Sequence, residues 1–253
     1  MSAKQTLAQL WEERLGKNFN LRGSGHRRFS ERYNAALYRS KERAIEEALR
    51  RADILLRGQD LLDAGCGTGF FEEYARRRNV RSLHGIDITR VSVETLRQRY
   101  ADFTFTQTSL ADYAPQPGVS FDGIAAIDVL YCLVANAEFE SAFANLAHHV
   151  RPGGWLLVSD RFFHTGKPQE HVHFRSWTTY EELAKKNGLT PVLRLPLFVL
   201  LARTFVPVFG PLLLDPLGPA RAWADGWLRD RGDWVVRHAG GLNLALFRKA
   251  SNG

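Results

Sequence analysis

No stretch of about 18 uncharged apolar residues occurs in the 253-residue chain, which argues against a membrane-spanning helix. Its two cysteines, Cys66 and Cys132, are too few for a disulfide framework or a cysteine metal cluster, and their number suits a reducing compartment. The opening residues, MSAKQTLAQLWEERLGKNFN, put charges where a secretory leader would need its apolar centre. A cytoplasmic location is therefore expected. No internal repeat or low-complexity tract is visible. What is present is a 45% hydrophobic, 24% charged composition, enough apolar material for one substantial core.

The formal net charge is +7, and residues 1–58 hold 13 Lys/Arg against 7 Asp/Glu. A basic segment of this kind can meet nucleic acid or an anionic surface. A solvated, Arg-rich helical face is the expected reading.

Residues 31–57 place Tyr33, Leu37, Ile45, Leu49 and Leu56 at helical spacing, with charges opposite. The preceding LRGSGHRRFS reads as a flexible turn. From residue 59 the rhythm changes to short apolar runs alternating with helical segments: QDLLDAGCG, FFEEYARRRN, VRSLHGIDIT, VSVETLRQRY, DFTFTQTSL, SFDGIAAIDVLYCL, EFESAFANLAHHV and WLLVSD. This alternation predicts an α/β fold, a mostly parallel sheet with helices on both faces. Arg151-Pro152-Gly153-Gly154 closes the last of those helices. After Asp160 comes a long loop, then Thr179-x-x-Glu182 as a capping box for a helix ending at Asn187-Gly188. LTPVLRL and GLNLALFRKA are the sixth and seventh strands.

The chemistry concentrates in Asp63-Ala64-Gly65-Cys66-Gly67-Thr68-Gly69. Glycines there permit positive φ and close approach of a ligand, and the following helix points its amides at whatever binds. The second strand ends at Asp87, 24 positions after Asp63, where a carboxylate can accept both hydroxyls of a ribose. A dinucleotide fingerprint would need glycine at position 70, where Phe70 stands.

LLDAGCGTGF resembles the first motif of the class I S-adenosylmethionine-dependent methyltransferases of small-molecule type. SFDGIAAIDVLYCL and RPGGWLLVSD are similar to that family's fourth-strand and fifth-strand segments. The resemblance implies a Rossmann-like seven-stranded sheet with the last strand antiparallel, and S-adenosyl-L-methionine as cofactor. Carried over by position, Asp63, Gly65, Cys66, Gly67, Thr68 and Gly69 surround the methionine portion. Asp87 holds the ribose, with Ile88 near the adenine. Ser109 and Leu110 meet the adenine edge. Many relatives have an acid at the Ser109 position, and Asp112 is the substitute here. Ile127 and Asp128 line the far side. YNAALYR resembles the pre-core helix of small-molecule members, making Tyr33 and Tyr38 candidates to close over the sulfonium, where an aromatic face contributes about 0.5–2 kcal/mol.

Methyl transfer depends mainly on positioning, and a base is needed chiefly when a hydroxyl must lose its proton. The loop at 161–178 is expected on the acceptor side. It offers His171 or His173 as the base, although in an extended His-x-His the two rings face opposite ways. His164, Arg175, Trp177 and Tyr131 are the candidate acceptor contacts. A metal site needs three convergent ligands, and none is expected. Cys132 lacks the Pro-Cys context of cytosine-5 enzymes, and Asp128-Val129-Leu130-Tyr131 does not match the Pro-Pro-aromatic motif of adenine-N6 enzymes, so nucleic acid is disfavoured.

Residues 196–240 form an insertion rich in proline and large apolar groups. It is read as a lid over an apolar acceptor pocket, with a membrane-surface element or a homodimer contact as the competing readings. The expected organisation is a helical cap at 1–58 and a methyltransferase core at 59–253. The expected activity is methylation of a small, partly apolar acceptor in small-molecule biosynthesis, at oxygen first, then nitrogen or carbon. The alternatives are an RNA methyltransferase using the basic N-terminus and a non-catalytic S-adenosylmethionine-binding module.

Overall fold

A computed structural model describes residues 6–25, 29–162, 167–169, 171–198 and 241–251. The described elements are α1 (Leu7–Lys17), α2 (Leu21–Ser24), α3 (Glu31–Arg51), β1 (Asp60–Ala64), α4 (Phe70–Arg76), β2 (Ser82–Asp87), α5 (Arg90–Arg99), β3 (Thr104–Gln107), β4 (Phe121–Ala126), α6 (Asn136–His149), β5 (Val150–Asp160), α7 (Trp177–Lys186), β6 (Leu189–Pro196) and β7 (Asn243–Lys249). A 3-10 turn at Leu130–Cys132 follows β4.

The seven strands form one sheet in the order β3-β2-β1-β4-β5-β7-β6, and β7 runs antiparallel to both neighbours. β1 is buried from Leu61 to Ala64, as a central parallel strand covered on both faces must be. It pairs Asp63 with Gly85 on one side and with Ala125 on the other. The chain passes from β1 to β2 and β3 on one side, then crosses to β4 on the other. The ends of β1 and β4 therefore flank the crevice where open α/β sheets bind ligands.

Two apolar layers cover the sheet. α3 lays Tyr33, Ile45 and Leu49 against a layer that includes Leu61, Phe105 and Leu244. On the opposite face α6 and α7 bring Phe139, Phe143 and Tyr180 to Leu62, Ile124 and Phe247. Gly123 is required by this packing, since a Cβ there would lie 2.0 Å from the Trp155 ring.

Three local expectations are corrected. LRGSGHRRFS contains the helix α2, because the Asn20 side chain accepts hydrogen bonds from Arg22 N–H and Gly23 N–H and starts a turn. Arg151–Gly154 lies within β5, with a register shift against β4 and Gly153 at φ +75° taking up the kink. α7 is capped by Ser176, whose hydroxyl accepts from Thr179 N–H at 3.2 Å. The helix thus begins two residues before Thr179, which lies in its first turn.

Candidate functional site

The turn after β1 is shaped by three glycines in the left-handed region: Gly65 at φ +86°, Gly67 at +50° and Gly69 at +87°. Gly65 N–H and Cys66 N–H both donate to Ile86 O, at 2.8 and 3.0 Å, tying the turn to β2. Asp87 completes the knot. Its Oδ2 accepts from Gly67 N–H at 2.9 Å, and its Oδ1 accepts from Thr89 N–H at 2.8 Å and the Thr89 hydroxyl at 2.7 Å. A peptide slip in either loop would therefore be transmitted to the other.

Above these loops lies a cavity of about 1020 Å³, counting its open mouth. Of the carried-over residues, Asp63, Gly65, Cys66, Gly67, Thr68, Asp87, Ile88, Ser109, Leu110, Ile127, Asp128 and Tyr38 line it. Gly69 does not. It begins α4 and packs so closely under Leu96 and Tyr100 that a Cβ would lie 2.7 Å from Leu96 Cδ2. Tyr33 is also excluded, being fully buried and stacked 4.2 Å from the Phe29 ring. Ser109 and Asp112 act as one unit: the serine hydroxyl donates to Asp112 Oδ2 at 2.6 Å and accepts from Asp112 N–H at 3.1 Å.

Among the described residues, none of those expected on the acceptor side lines this cavity. His173 is buried, and its Nδ1–H donates to Val134 O at 3.0 Å while its amide donates to Tyr131 O at 2.7 Å. The ring is thereby part of the wall behind the 3-10 turn. His171 is half-buried and also lies away from the lining. Arg175 is 1% exposed; it donates to His173 O and Leu133 O at 2.8 and 2.7 Å and lies over the Phe139 ring. Trp177 stacks on Phe247, and Tyr131 packs against Phe174. These contacts hold the loop to the sheet. His164 and residues 199–240 lie outside the described residues.

Several lining residues have no counterpart in the sequence reading: Leu7, Trp11 and Leu15 of α1, Ser24 of α2, Lys41 of α3 and Glu138 of α6. For α1 a signal was available. Thr6 and Gln9 form a reciprocal capping box, and Leu7, Trp11 and Leu15 recur at helical spacing.

Burial dominates the electrostatics. It raises the Asp63 carboxyl to about 7, with the Asp87 charge adding to the effect and a hydrogen bond with Glu72 opposing it. Glu72, fully buried on α4, is pushed well above the usual carboxylate range by burial and by the charge of Asp63. Asp87 is also raised by burial, against its hydrogen bonds from Thr89 and Gly67. Four acids (Asp63, Asp87, Asp128 and Glu138) and one cation, Lys41, line the cavity among the described residues. Such a site favours a cationic ligand.

Residues 61–154 match a family model described as a methyltransferase domain. The chain is 31% identical over 123 residues to an O-methyltransferase of Aspergillus nomiae, covering 46% of this chain and 53% of that one. It is 32% identical over 109 residues to a ubiquinone biosynthesis O-methyltransferase of Neisseria meningitidis, covering 41% and 44%. The chain thus spans about half the length of the curated relatives it matches. The crystal structure of N-methyltransferase NodS from Bradyrhizobium japonicum, in complex with S-adenosyl-L-homocysteine, superposes with a TM-score of 0.63 at 18% identity over 96% of this chain and 98% of that one. The shared architecture is therefore a fold, extending well past the matched segment.

Proposed function

We propose that this chain, a member of the class I S-adenosylmethionine-dependent methyltransferases, transfers a methyl group to a small, partly apolar acceptor. One observation carries the proposal: the glycine turn and Asp87 are locked together at the floor of a predominantly acidic cavity. Bound there, S-adenosylmethionine supplies a methyl group on a positively charged sulfur. Asp63 and the 65–68 turn hold the amino-acid end, and Asp87 accepts the ribose hydroxyls. Ile88, Ser109 and Leu110 flank the base, and Ile127 and Asp128 close the acceptor end of the cavity. Gly67 suits close contact, because a Cβ there would have no atom nearer than Gly65 O at 3.8 Å and would occupy the ligand's space.

α1 roofs the cavity with Leu7, Trp11 and Leu15, in keeping with a cap at 1–58. We read residues 196–240 as a lid and 161–178 as the support of the acceptor side, with no base drawn from His171 or His173. Oxygen is the preferred acceptor atom. No helix among the described residues is long and apolar enough to cross a membrane, in keeping with a cytoplasmic role in small-molecule biosynthesis.

Calorimetric titration with S-adenosylhomocysteine is the direct test, followed by transfer of labelled methyl to mixed phenols, enols and amines. Micromolar binding and label transfer are expected. Absence of nucleoside binding by the full chain would end the proposal, and binding without transfer to any acceptor would favour the non-catalytic module.

A further inference from the structure

Lys41 is the one cation among the described residues lining the cavity, and it is only 6% exposed. Its ammonium lies 2.5 Å from Asp128 Oδ2, 4.0 Å above the centre of the Tyr38 ring and 5.9 Å from that of Phe198. Burial works against its charge, but Asp128 and the Tyr38 phenol outweigh burial, so Lys41 stays protonated. Asp128 is fixed from its other side. Ser159 donates its hydroxyl to Oδ1 at 2.9 Å and accepts from Asp128 N–H at 2.7 Å. The residue sits at φ +60°, a conformation uncommon outside glycine. From Tyr38 a line of hydroxyls runs through Ser24, at 2.7 Å, to Thr68 of the glycine turn, at 2.9 Å.

An ion pair kept only for stability is a poor explanation for this arrangement. Replacing a buried pair with apolar groups is often neutral or stabilising, and a cation at the wall of a sulfonium site opposes cofactor binding. Val129, Cys132 and Leu133 are among the apolar residues that line the same cavity. An ammonium has three donors. Asp128 takes one and the Tyr38 ring face lies against the ammonium; because Lys41 itself lines the cavity, a further donor is available to a bound molecule.

We propose that the Lys41–Asp128 pair anchors the acceptor and selects an acidic hydroxyl, that of a phenol or an enol, as the atom to be methylated. This rests on the methyltransferase reading above. Lys41 donates to the acceptor oxygen and stabilises its anionic form. Asp128 takes the hydroxyl proton. The oxygen lone pair forms the O–CH₃ bond as the C–S bond breaks, its electrons remaining on sulfur, which becomes a neutral thioether. Asp128 then returns the proton to solvent. A protonated amine in the same place would be repelled by Lys41.

The test uses the full chain, wild type and Lys41→Met, with 4-nitrophenol as probe because its phenolate absorbs where the phenol does not. S-adenosylhomocysteine is titrated first. Failure of the wild type to bind it would sink the methyltransferase reading, whereas binding within threefold in both proteins isolates the acceptor question. Wild type saturated with S-adenosylhomocysteine should then bind 4-nitrophenol as phenolate, at least tenfold tighter than 4-nitroanisole. Lys41→Met should lose both the preference and the phenolate absorbance, and Lys41→Arg should keep the absorbance. Asp128→Asn gives a result of opposite sign, and covers the case where Lys41→Met does not fold. Removing the counter-charge of Lys41 should tighten phenolate binding severalfold. No probe binding by the loaded wild type, binding indifferent to Lys41 and Asp128, or a preference for benzylamine would each overturn the proposal.

Discussion

Glu12 on α1 caps the first turn of α5: its carboxylate accepts from Arg90 N–H at 2.7 Å and from Val91 N–H at 3.2 Å. The residue at the N-cap of α5, Thr89, cannot do this, because its hydroxyl is committed to Asp87 and Ser92. A carboxylate on a helix N-terminus also meets the positive end of the dipole. The bond thus ties the roof of the cavity to the segment that carries Asp87. Glu12→Ala should cost about 1 kcal/mol of stability, as loss of a cap does. Because Leu7, Trp11 and Leu15 hang from the same helix, it should also speed release of S-adenosylhomocysteine severalfold. Stopped-flow displacement followed by tryptophan emission would measure this, and an unchanged release rate would show that α1 is not a roof.

Gly65 and Gly67 should fail in different ways. A Cβ at Gly65 would lie 2.6 Å from Val129 Cγ2, in addition to the strain of φ +86°. Gly65→Ala should therefore destabilise the fold by about 2–3 kcal/mol, from left-handed backbone strain plus overpacking. Gly65→Ala with Val129→Ala should recover part of that loss. Gly67→Ala meets no such wall, so its cost should be about 1 kcal/mol while nucleoside affinity falls at least tenfold. Melting curves with and without S-adenosylhomocysteine separate the two; equal losses of stability would contradict the assignment.

The sheet and the glycine turn at the cavity floor were readable in the sequence because both are local. Buried strands show as short apolar runs, and the glycine turn is a contiguous motif whose backbone demands particular residues. Asp87 follows from the length of one β-α-β unit. The proposed acceptor end is not local. Lys41 is one of several cations on an Arg-rich helix, and nothing in its neighbours marks it as the one turned toward Asp128 across 87 residues of chain. His173 looked reactive as a histidine in a loop, but Tyr131 and Val134 bind its amide and ring, and that pairing exists only after folding. Arg175 is hidden by the same contacts.

Asp87→Asn should separate shape from charge. One carboxylate oxygen becomes an NH₂, which must face donors on Gly67 or Thr89 where an acceptor now stands. Hydrogen bonds to a charged group contribute about 1.5–3 kcal/mol, so S-adenosylhomocysteine binding should weaken roughly 10- to 100-fold by calorimetry. Asp87→Glu should lose nearly as much, since the longer arm cannot serve both loops. Binding unchanged in Asp87→Asn would remove this residue from the site.

Asp160 sets a pH dependence of stability away from the cavity. It is fully buried at the end of β5 and accepts from Tyr180 Oη at 3.0 Å and from Arg161 N–H and Arg175 N–H. Burial raises its carboxyl from 3.8 to about 6, against these hydrogen bonds and the Arg175 charge. The folded state therefore binds more protons than the unfolded chain between pH 4 and 6. The contribution of Asp160 is fully present below pH 4 and is lost as pH rises through 6, with a span of about 2–3 kcal/mol. Asp60 acts in the opposite sense at lower pH, because Arg81 and Arg151 hold its carboxyl well below the usual range. A single curve would mix the two, so the measurement is a difference: urea unfolding of wild type and Asp160→Asn at pH 4, 5, 6 and 7. Asn keeps an acceptor for Tyr180 but cannot titrate, so its stability relative to wild type should rise from pH 4 to pH 6 and then level. A difference that stays flat across that interval would show that Asp160 titrates as it does in the unfolded chain.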